Sequence, residues 1–341
     1  MNMTRRAFVS GASATVATGL LGGDSAAAGR ASEIKAVLLH LGTGMWWTEH
    51  NQYKELPMHW PSWKRLTESM AARRLNMVII DIGDGLVWPR HPEIGYKGAL
   101  DVETFRGELA RLRALGLEPI PKLNFSTTHN FWLGEARRWC STSRYYKLCD
   151  DLVRDAAEIF DRPRFLHIGF DEEKAGNQGE MDICIARNAD LWYHDLEEHV
   201  RSAERVGMRT MMWSDRGWHD ETFVRRCPKS VVQNNWYYDE DLQGFDPTQA
   251  NAEFAARLNL FLKLDKAGFE QIPCGSTWRS AIQLGSGIAV NRSIAELIRF
   301  GRDNLDPKLL RGFLMAPWEM CNEEGNALSQ VGVDVFAEAL S

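Results

Sequence analysis

Short apolar segments alternate with longer amphipathic segments from residue 34 to the end of the chain. The short segments have the length expected of β-strands. They are Ile34–Leu41, Met77–Ile82, Glu118–Leu123, Phe165–Gly169, Met208–Trp213, Val231–Asn235, Gln271–Gly275 and Gly312–Ala316. The longer segments predict helices, because their apolar residues recur at the spacing of a helix face. The clearest are Trp63–Leu75, Val102–Leu115, Tyr145–Phe160, Leu191–Val206, Ala252–Lys266 and Ser293–Asp303.

This alternation of strand and helix predicts the fold class. Eight repeats of the pattern indicate an α/β protein, a single-domain (β/α)₈ TIM barrel over residues 32–341, with each crossover helix covering the outside of the barrel. A doubly wound open sheet stays the structural alternative, because alternation alone does not show that the sheet closes.

The first 31 residues have a different pattern, which predicts a signal peptide. The pair Arg5-Arg6 precedes a mildly apolar stretch that ends near Leu21, and small residues follow at Ala26–Ala28. This order is typical of a secretory signal, and the paired arginines indicate the twin-arginine route. A membrane anchor is the alternative, but the apolar stretch is short and rich in glycine. We therefore expect an exported protein, periplasmic or extracellular, without stable membrane insertion after cleavage.

Composition and charge exclude several classes of protein. A hydrophobic fraction of 44% is ample for a core, and a net charge of −6 without basic clusters argues against nucleic acid as a partner. The six cysteines form no C-x-x-C pair, which argues against a structural zinc site. Cys140 and Cys149 are close enough along the chain to form a disulfide in an oxidising compartment.

The thirteen tryptophans point to carbohydrate as the partner. Several of them adjoin Gly, Asn, Asp or Pro in predicted loops, where a core has no need of them. The C–H groups of a sugar pack on the negative face of an aromatic ring.

Polar and aromatic residues also follow most of the predicted strands. The active site of such a barrel lies at the C-terminal ends of its strands. The residues at these ends include His40, Trp46, Asp81, Asp84, Trp88, Asn124, His129, Asp171, Glu172, Trp213, Asp215, Trp236, Tyr237, Asp239, Trp278, Trp318 and Glu319.

The fourth strand ends in the sharpest chemical signal, the adjacent acids Asp171 and Glu172. On an extended strand two neighbours point in roughly opposite directions, so both would not face one anomeric carbon. Such a pair suits substrate-assisted glycoside cleavage, in which the sugar's own 2-acetamido oxygen attacks. One acid then orients the amide, and the other acts as general acid and base. Alternatively, Asp171-Glu172-Glu173 starts a helix, where acids are favoured.

Here the chain resembles glycoside hydrolase family 20, the β-N-acetylhexosaminidases. The fourth strand of that family ends in H-x-G-G-D-E, and this chain has His167-Ile168-Gly169-Phe170-Asp171-Glu172. Similar segments follow the family order along nearly the whole chain after residue 31. They are Arg74–Met77 with Asp84 and Trp88, Glu118–Asn124 with His129, Trp213–Asp215, Tyr237–Asp239 and Trp318-Glu319.

The resemblance implies a role for each matching residue. Asp171 would position the acetamido group, Glu172 would be the general acid and base, and Asp84 and His129 would form a relay that tunes Glu172. Tyr237 would donate a hydrogen bond to the acetamido oxygen. The remaining substrate-binding residues are expected to be Trp46, Trp213, Asp215, Trp236, Asp239, Trp278, Trp318 and Glu319. The resemblance requires no metal and no cofactor, and it implies an N-acetylhexosamine-containing glycan as substrate.

Two alternatives to a family 20 glycosidase stay open, and the first follows from departures from the family pattern. No arginine ends strand one, Phe170 replaces a glycine, and Lys122 and Asn124 replace acids. These differences allow a non-catalytic, carbohydrate-binding barrel. The third hypothesis is a metal-dependent hydrolase or isomerase that uses His40, His129, Asp171 and Glu172, although no H-x-H or H-E-x-x-H spacing supports it.

Overall fold

A computed structural model of the chain describes residues 32–43, 53–238, 242, 252–277 and 288–341. Residues Glu33–Ser341 belong to one compact unit. The predicted signal peptide and three predicted substrate-binding residues, Trp46, Asp239 and Trp278, lie outside the described residues.

Eight strands form the centre of the fold. They are β1 (Ile34–His40), β2 (Met77–Asp81), β3 (Glu118–Lys122), β4 (Phe165–His167), β5 (Arg209–Trp213), β6 (Val232–Asn234), β7 (Cys274–Ser276) and β8 (Gly312–Ala316). All paired strands are parallel, in the order β6-β5-β4-β3-β2-β1-β8-β7. The two edge strands of this order meet through the parallel bridges Gln233–Gln271 and Trp236–Cys274. The sheet therefore closes into the predicted (β/α)₈ barrel, and the doubly wound alternative is wrong.

Helices follow the strands on the outside of the barrel. In the described residues they are α1 (Trp60–Ala72), α2 (Val102–Ala114), α3 (Ser143–Ile159), α4 (Ala189–Arg205), α5 (Phe223–Arg226), α6 (Ala252–Lys266), α7 (Ile288–Asn304) and α8 (Glu323–Leu340). Short side chains fix where several of them begin. Asp101, Thr142, Asn188 and Asn322 accept backbone N–H groups in the first turns of α2, α3, α4 and α8. No helix within the described ranges is long and apolar enough to span a membrane.

The period-two pattern of each strand divides the barrel into an inner and an outer core. On β1, Ala36 and Leu38 belong to the inner cluster, whereas Val37 and Leu39 pack towards the surrounding helices. The inward positions at the C-terminal ends of β1 to β4 are polar and buried: His40, Asp81, Lys122 and His167. The interior of the barrel is therefore apolar along most of the strands and polar at their C-terminal ends, where the loops begin. Cys140 and Cys149 are free thiols, without the disulfide that their spacing allows.

Candidate active site

The chain leaves the barrel after β4 through a tight turn, not along an extended strand. Strand β4 ends at His167, and Gly169, Phe170 and Glu172 have φ angles of 72°, 70° and 55°. These values lie in the left-handed region, which is costly for residues with a Cβ atom. The turn brings both acids to one side, so the prediction that they point in opposite directions is wrong. Asp171-Glu172-Glu173 also starts no helix, since the next helical segment is the short 3₁₀ turn Ala175–Gln178.

Gly169 and Phe170 make this turn in different ways. A Cβ atom on Gly169 would lie 1.8 Å from Asn124 Oδ1, so this position excludes any larger residue. Phe170 keeps the left-handed backbone and directs its ring into the outer core, 5.3 Å from the rings of Trp192 and His199. Packing of this ring offsets the strained backbone. This explains how Phe170 stands where the resembling family has glycine.

The turn buries Asp171, whose side chain lies among polar partners. Asn124 Nδ2 donates to Asp171 Oδ1 at 3.1 Å, and the Ser126 hydroxyl donates to the Asp171 carbonyl oxygen. Burial raises the pKa of the Asp171 carboxyl above its usual value, although His129 and Lys122 act in the opposite direction. Asn124, at a position where the resembling family has an acid, therefore supplies a neutral hydrogen-bond donor to Asp171.

Glu172 is held by its main chain and leaves its carboxylate accessible. Its N–H donates to Asp215 Oδ2 at 2.9 Å, and its carbonyl oxygen accepts from Thr128 Oγ1 at 2.9 Å and Asn177 Nδ2 at 3.0 Å. The side chain is 34% exposed. Burial acts to raise the pKa of this carboxyl, but the hydrogen bond and charge of His129, together with the charges of Lys174 and Arg257, lower it.

His129 lies against both acids. Its Nε2 atom is 3.5 Å from Asp171 Oδ2 and 3.3 Å from Glu172 Oε2. Burial acts to lower the pKa of the ring, but the two carboxylates more than compensate and raise it above 6.5. The two shifts favour the state in which His129 carries the shared proton and Glu172 is ionised.

Asp84, the second predicted relay residue, is buried and bound to the loop after β1. Its carboxylate accepts the Thr43 N–H at 2.6 Å and the Thr43 hydroxyl at 2.8 Å. These contacts fix Thr43 at the end of β1, where the resembling family has its arginine. The relay from Asp84 to His129 stays a prediction.

A buried charged cluster, His40–Asp81–Lys122, lies across the ends of β1 to β3. Lys122 Nζ forms an ion pair with Asp81 Oδ2, and His40 Nε2 is 3.5 Å from the same oxygen. Lys122 Nζ also lies 5.9 Å from the centre of the Trp318 ring. Burial lowers the pKa of His40 to about 4, despite the attraction of Asp81. His40 is therefore neutral, and Lys122 is the cation of the cluster.

Aromatic rings surround the end of the barrel near the acids. Trp213 is buried, 4.5 Å from the His167 ring and 5.6 Å from the Trp318 ring. Trp318 Nε1 donates to Tyr238 Oη at 3.2 Å, and Tyr238 stacks on Trp236 at 4.8 Å. The indole N–H of Trp213 has no hydrogen-bond partner among the described residues. This wall combines apolar ring faces with a free donor.

The prediction for Tyr237 is wrong, and its neighbour Tyr238 faces the site. Tyr237 packs in an outer cluster with Leu258, Phe261 and Leu297, because successive residues after β6 alternate between the two sides of the barrel wall. Tyr238 joins the inner cluster, and the charges of Asp171 and Glu172 contribute to raising its pKa, after burial. Alternation of inward and outward side chains from Asn234 onwards already predicts that Tyr238 faces inwards and Tyr237 outwards.

Three further ionisable residues lie near the mouth of the barrel. Burial, followed by the charge of Asp171, raises the pKa of Asp215 to about 8. Burial raises the pKa of the half-buried Glu319 to about 7, and its carbonyl oxygen lies 3.2 Å from His40 Nδ1. Arg257 on α6, which no sequence pattern indicated, lies 4.6 Å and 5.2 Å from the ring centres of Trp218 and Trp236. Its charge also lowers the pKa of Glu172.

The metal hypothesis can be compared with the same geometry. Among the described residues, no group of three or more His, Cys, Asp or Glu side chains is arranged to hold a metal ion. Of the four ligands that the hypothesis names, His129 contacts Asp171 and Glu172, whereas His40 contacts Asp81.

Comparison with known structures places this barrel among similar folds. No family profile and no curated protein sequence matches the chain. A family 20 exo-β-N-acetylglucosaminidase from Vibrio harveyi aligns with a TM-score of 0.58 at 14% identity over 90% of this chain. The family 20 β-N-acetylhexosaminidase of Streptomyces coelicolor aligns with a TM-score of 0.60 at 12% sequence identity over 88% of this chain. A Flavobacterium johnsoniae chitobiase aligns with a TM-score of 0.61 at 14% sequence identity over 89% of this chain.

These matches establish a shared fold. The chain covers 56%, 63% and 47% of the lengths of the three solved proteins. At 12–14% identity the likeness extends to the barrel architecture, and the activity of this chain has to be argued from its own site.

Proposed function

We propose that this protein is a glycoside hydrolase that cleaves N-acetylhexosaminides by substrate-assisted, retaining catalysis. The observation on which the proposal rests is the approach of Asp171 and Glu172 to one nitrogen, His129 Nε2, beside an aromatic wall. The similar barrels include family 20 enzymes, which supports the same reaction class.

In the first step, Asp171 accepts the N–H of the substrate's acetamido group and turns its carbonyl oxygen towards the anomeric carbon. That oxygen forms a bond to the carbon as the glycosidic C–O bond breaks, and Glu172 transfers a proton to the leaving oxygen. In the second step, water attacks the anomeric carbon, its proton passes to Glu172, and the ring formed by the acetamido group opens. Configuration is retained because the carbon is attacked twice.

The acid state of Glu172 depends on its partner His129. In the unliganded site the proton lies on His129 and Glu172 is ionised. A bound sugar displaces water, and a drier environment disfavours separated charges. The proton then moves from His129 Nε2 to Glu172 Oε2, which generates the carboxylic acid that the first step requires.

Trp318 and Tyr238, which are partly buried, supply the surface for the sugar ring, and the buried Trp213 packs against Trp318. Their rings lie in the inner cluster at the end of the barrel, close to the acids. Tyr238 takes the acetamido-binding role that the sequence assigned to Tyr237.

The proposal is tested with a panel of aryl glycosides. We expect hydrolysis of aryl N-acetyl-β-glucosaminide or galactosaminide, inhibition by a thiazoline analogue of the cyclised sugar, and no turnover of the matching 2-hydroxy glucoside. Glu172→Gln and Asp171→Asn should each lower kcat by about 10²- to 10⁴-fold. Glu180→Gln, an exposed acid in the same loop, is the matched control and should keep full activity. Folded protein that turns over none of the panel would refute the proposal.

A non-catalytic carbohydrate-binding barrel is the second candidate. The observation in its favour is the segment after β1, which has no arginine and whose residue Thr43 is bound by Asp84. This candidate predicts binding on a glycan array without turnover, and binding unchanged by Glu172→Gln.

We also propose export by the twin-arginine route, on the pattern around Arg5-Arg6. Replacing both arginines by lysine should retain the protein in the cytoplasm of an expression host. A wild-type chain that is itself retained there would contradict the proposal.

A further inference from the structure

The main chain of Glu172 is held by an aspartate from the next strand. The Glu172 N–H donates to Asp215 Oδ2 at 2.9 Å, and Asp215 is the second residue after β5. This contact joins the turn after β4 to the loop after β5. The sequence assigned Asp215 to the substrate, whereas the structure shows its Oδ2 atom engaged with the protein.

Glu172 requires such support because its backbone is strained. Its φ angle of 55° lies in the left-handed region, which a residue with a Cβ atom occupies only when its surroundings impose it. Thr128 and Asn177 hold its carbonyl oxygen, and Asp215 holds its N–H. If the N–H were released, the residue could relax and its carboxylate would move away from His129.

We propose that Asp215 is a positioning residue, which fixes the Glu172 peptide so that the Glu172 carboxylate faces His129 Nε2. The inference deepens the proposed function and rests on it for the meaning of Glu172 as acid and base. The geometric part, that Asp215 sets the contact between Glu172 and His129, is testable without substrate.

The second carboxylate oxygen of Asp215, Oδ1, allows Asp215 to be replaced by asparagine without loss of the hydrogen bond to Glu172. Asp215 is 9% exposed, and its Oδ1 atom has no hydrogen-bond partner among the described residues. Asp215 also lines a cavity of about 370 Å³ between the loops after β4 and β5. Asp220 lines the same cavity. An asparagine can therefore keep an oxygen on the Glu172 N–H without displacing a partner of Oδ1, whereas alanine loses the acceptor.

The first readout is the pKa of His129, measured by NMR titration of its ring, with assignment by His129→Gln. In the wild type, Asp171 and Glu172 raise this pKa. Asp215→Ala should lower it towards the value in Glu172→Gln, because the carboxylate leaves the ring. Asp215→Asn should leave it close to the wild-type value. Asp220→Asn lines the same cavity without a contact to Glu172 and is the control. An unchanged pKa in folded Asp215→Ala would overturn the inference.

The second readout separates positioning from substrate binding. Asp215→Ala should lower kcat by about 10²-fold with little change in KM, because a displaced catalytic group costs rate more than affinity. Asp215→Asn should retain most of kcat and leave the alkaline limb of the pH–rate profile close to that of the wild type, because the contact between Glu172 and His129 is kept. If Asp215→Ala does not fold, a large loss of kcat in folded Asp215→Asn overturns the inference. If wild type lacks activity, the proposed function fails and the NMR readout still decides the role of Asp215.

Discussion

The Nε2 atom of His129 lies 3.3 Å from Oε2 of Glu172, and each residue shifts the titration of the other. The pKa of the imidazole is raised and the pKa of the carboxyl is lowered, although burial alone acts in the opposite direction on both. One proton is therefore shared by the pair. In the proposed reaction this proton passes through Glu172 to the leaving glycosidic oxygen.

The first prediction concerns the pH profile of that pair. Activity should persist to a pH above 6.5, because the pair keeps its proton until the raised pKa of His129 is reached. His129→Gln should shift the alkaline limb of kcat/KM to lower pH and reduce kcat by about 10²-fold. An alkaline limb that His129→Gln leaves in place would show that His129 does not store the proton.

The same pair affects stability in a defined direction. A histidine with a raised pKa in the folded state contributes stability below its unfolded pKa of about 6.5, and the contribution disappears as the pH rises through the folded pKa. The difference in unfolding free energy between wild type and His129→Gln should therefore favour wild type most below pH 6.5. Denaturant unfolding at a series of pH values measures it, and a difference that grows with pH would contradict the prediction.

The second prediction concerns Gly169. A Cβ atom there meets Asn124 Oδ1 at 1.8 Å, and the φ angle of 72° adds a cost of about 1–2 kcal/mol for any residue with a side chain. Gly169→Ala should displace Asn124 from Asp171 and reduce kcat by more than its loss of stability explains. Gly207→Ala is the matched control, with a φ angle of 83° and no atom within 4 Å of the added Cβ atom.

Comparison of these two variants separates backbone strain from damage to the site. Gly207→Ala should lower the free energy of unfolding by about 1–2 kcal/mol and leave kcat unchanged. Equal activity in the two variants would show that the contact of Asn124 with Asp171 is not needed for turnover.

The third prediction concerns the His40–Asp81–Lys122 cluster. Lys122→Met removes the cation from a buried pair and leaves Asp81 without it, so the free energy of unfolding should fall by about 3–5 kcal/mol. Replacing both charges, in Lys122→Met with Asp81→Asn, should restore much of the loss. Urea unfolding of the two single variants and the double variant gives the coupling energy. Additive losses would show that the two side chains act independently.

The fourth prediction distinguishes the two neighbouring tyrosines. Tyr238→Phe removes the hydroxyl that accepts from Trp318 Nε1 and faces the acids, so kcat/KM should fall by about tenfold, as for one hydrogen bond. Tyr237→Phe changes a residue of the outer cluster and should leave kcat/KM unchanged. The reverse order of effects would restore the role that the sequence assigned to Tyr237.

The sequence predicted the barrel because each strand and helix has its own local pattern. The apolar runs of β3 and β4 and the polar residues after them located His129, Asp171 and Glu172 at one end of the barrel. Such patterns describe residues within one element. They do not describe the turn between elements, where Phe170 and Glu172 adopt left-handed backbones that their residue types disfavour.

Contacts between distant segments were also beyond the sequence. Lys122 appeared only as a departure from a family pattern, and its partner Asp81 lies on the neighbouring strand in register with it. Asp215 appeared as a substrate ligand, because nothing local indicates that its carboxylate holds the peptide of Glu172. The orientations of Tyr237 and Tyr238, in contrast, could be predicted from the sequence, because strict alternation after Asn234 indicates which of the two faces inwards.

The central claim is that the substrate's own amide attacks while Asp171 and Glu172 assist it. The most direct measurement compares kcat for aryl β-glucosaminides with N-acetyl and N-trifluoroacetyl groups, which are nearly equal in size and differ in the nucleophilicity of the carbonyl oxygen. The account predicts a steep loss of kcat in wild type on fluorination. Equal rates on the two substrates, or no turnover of either by folded protein, would contradict it.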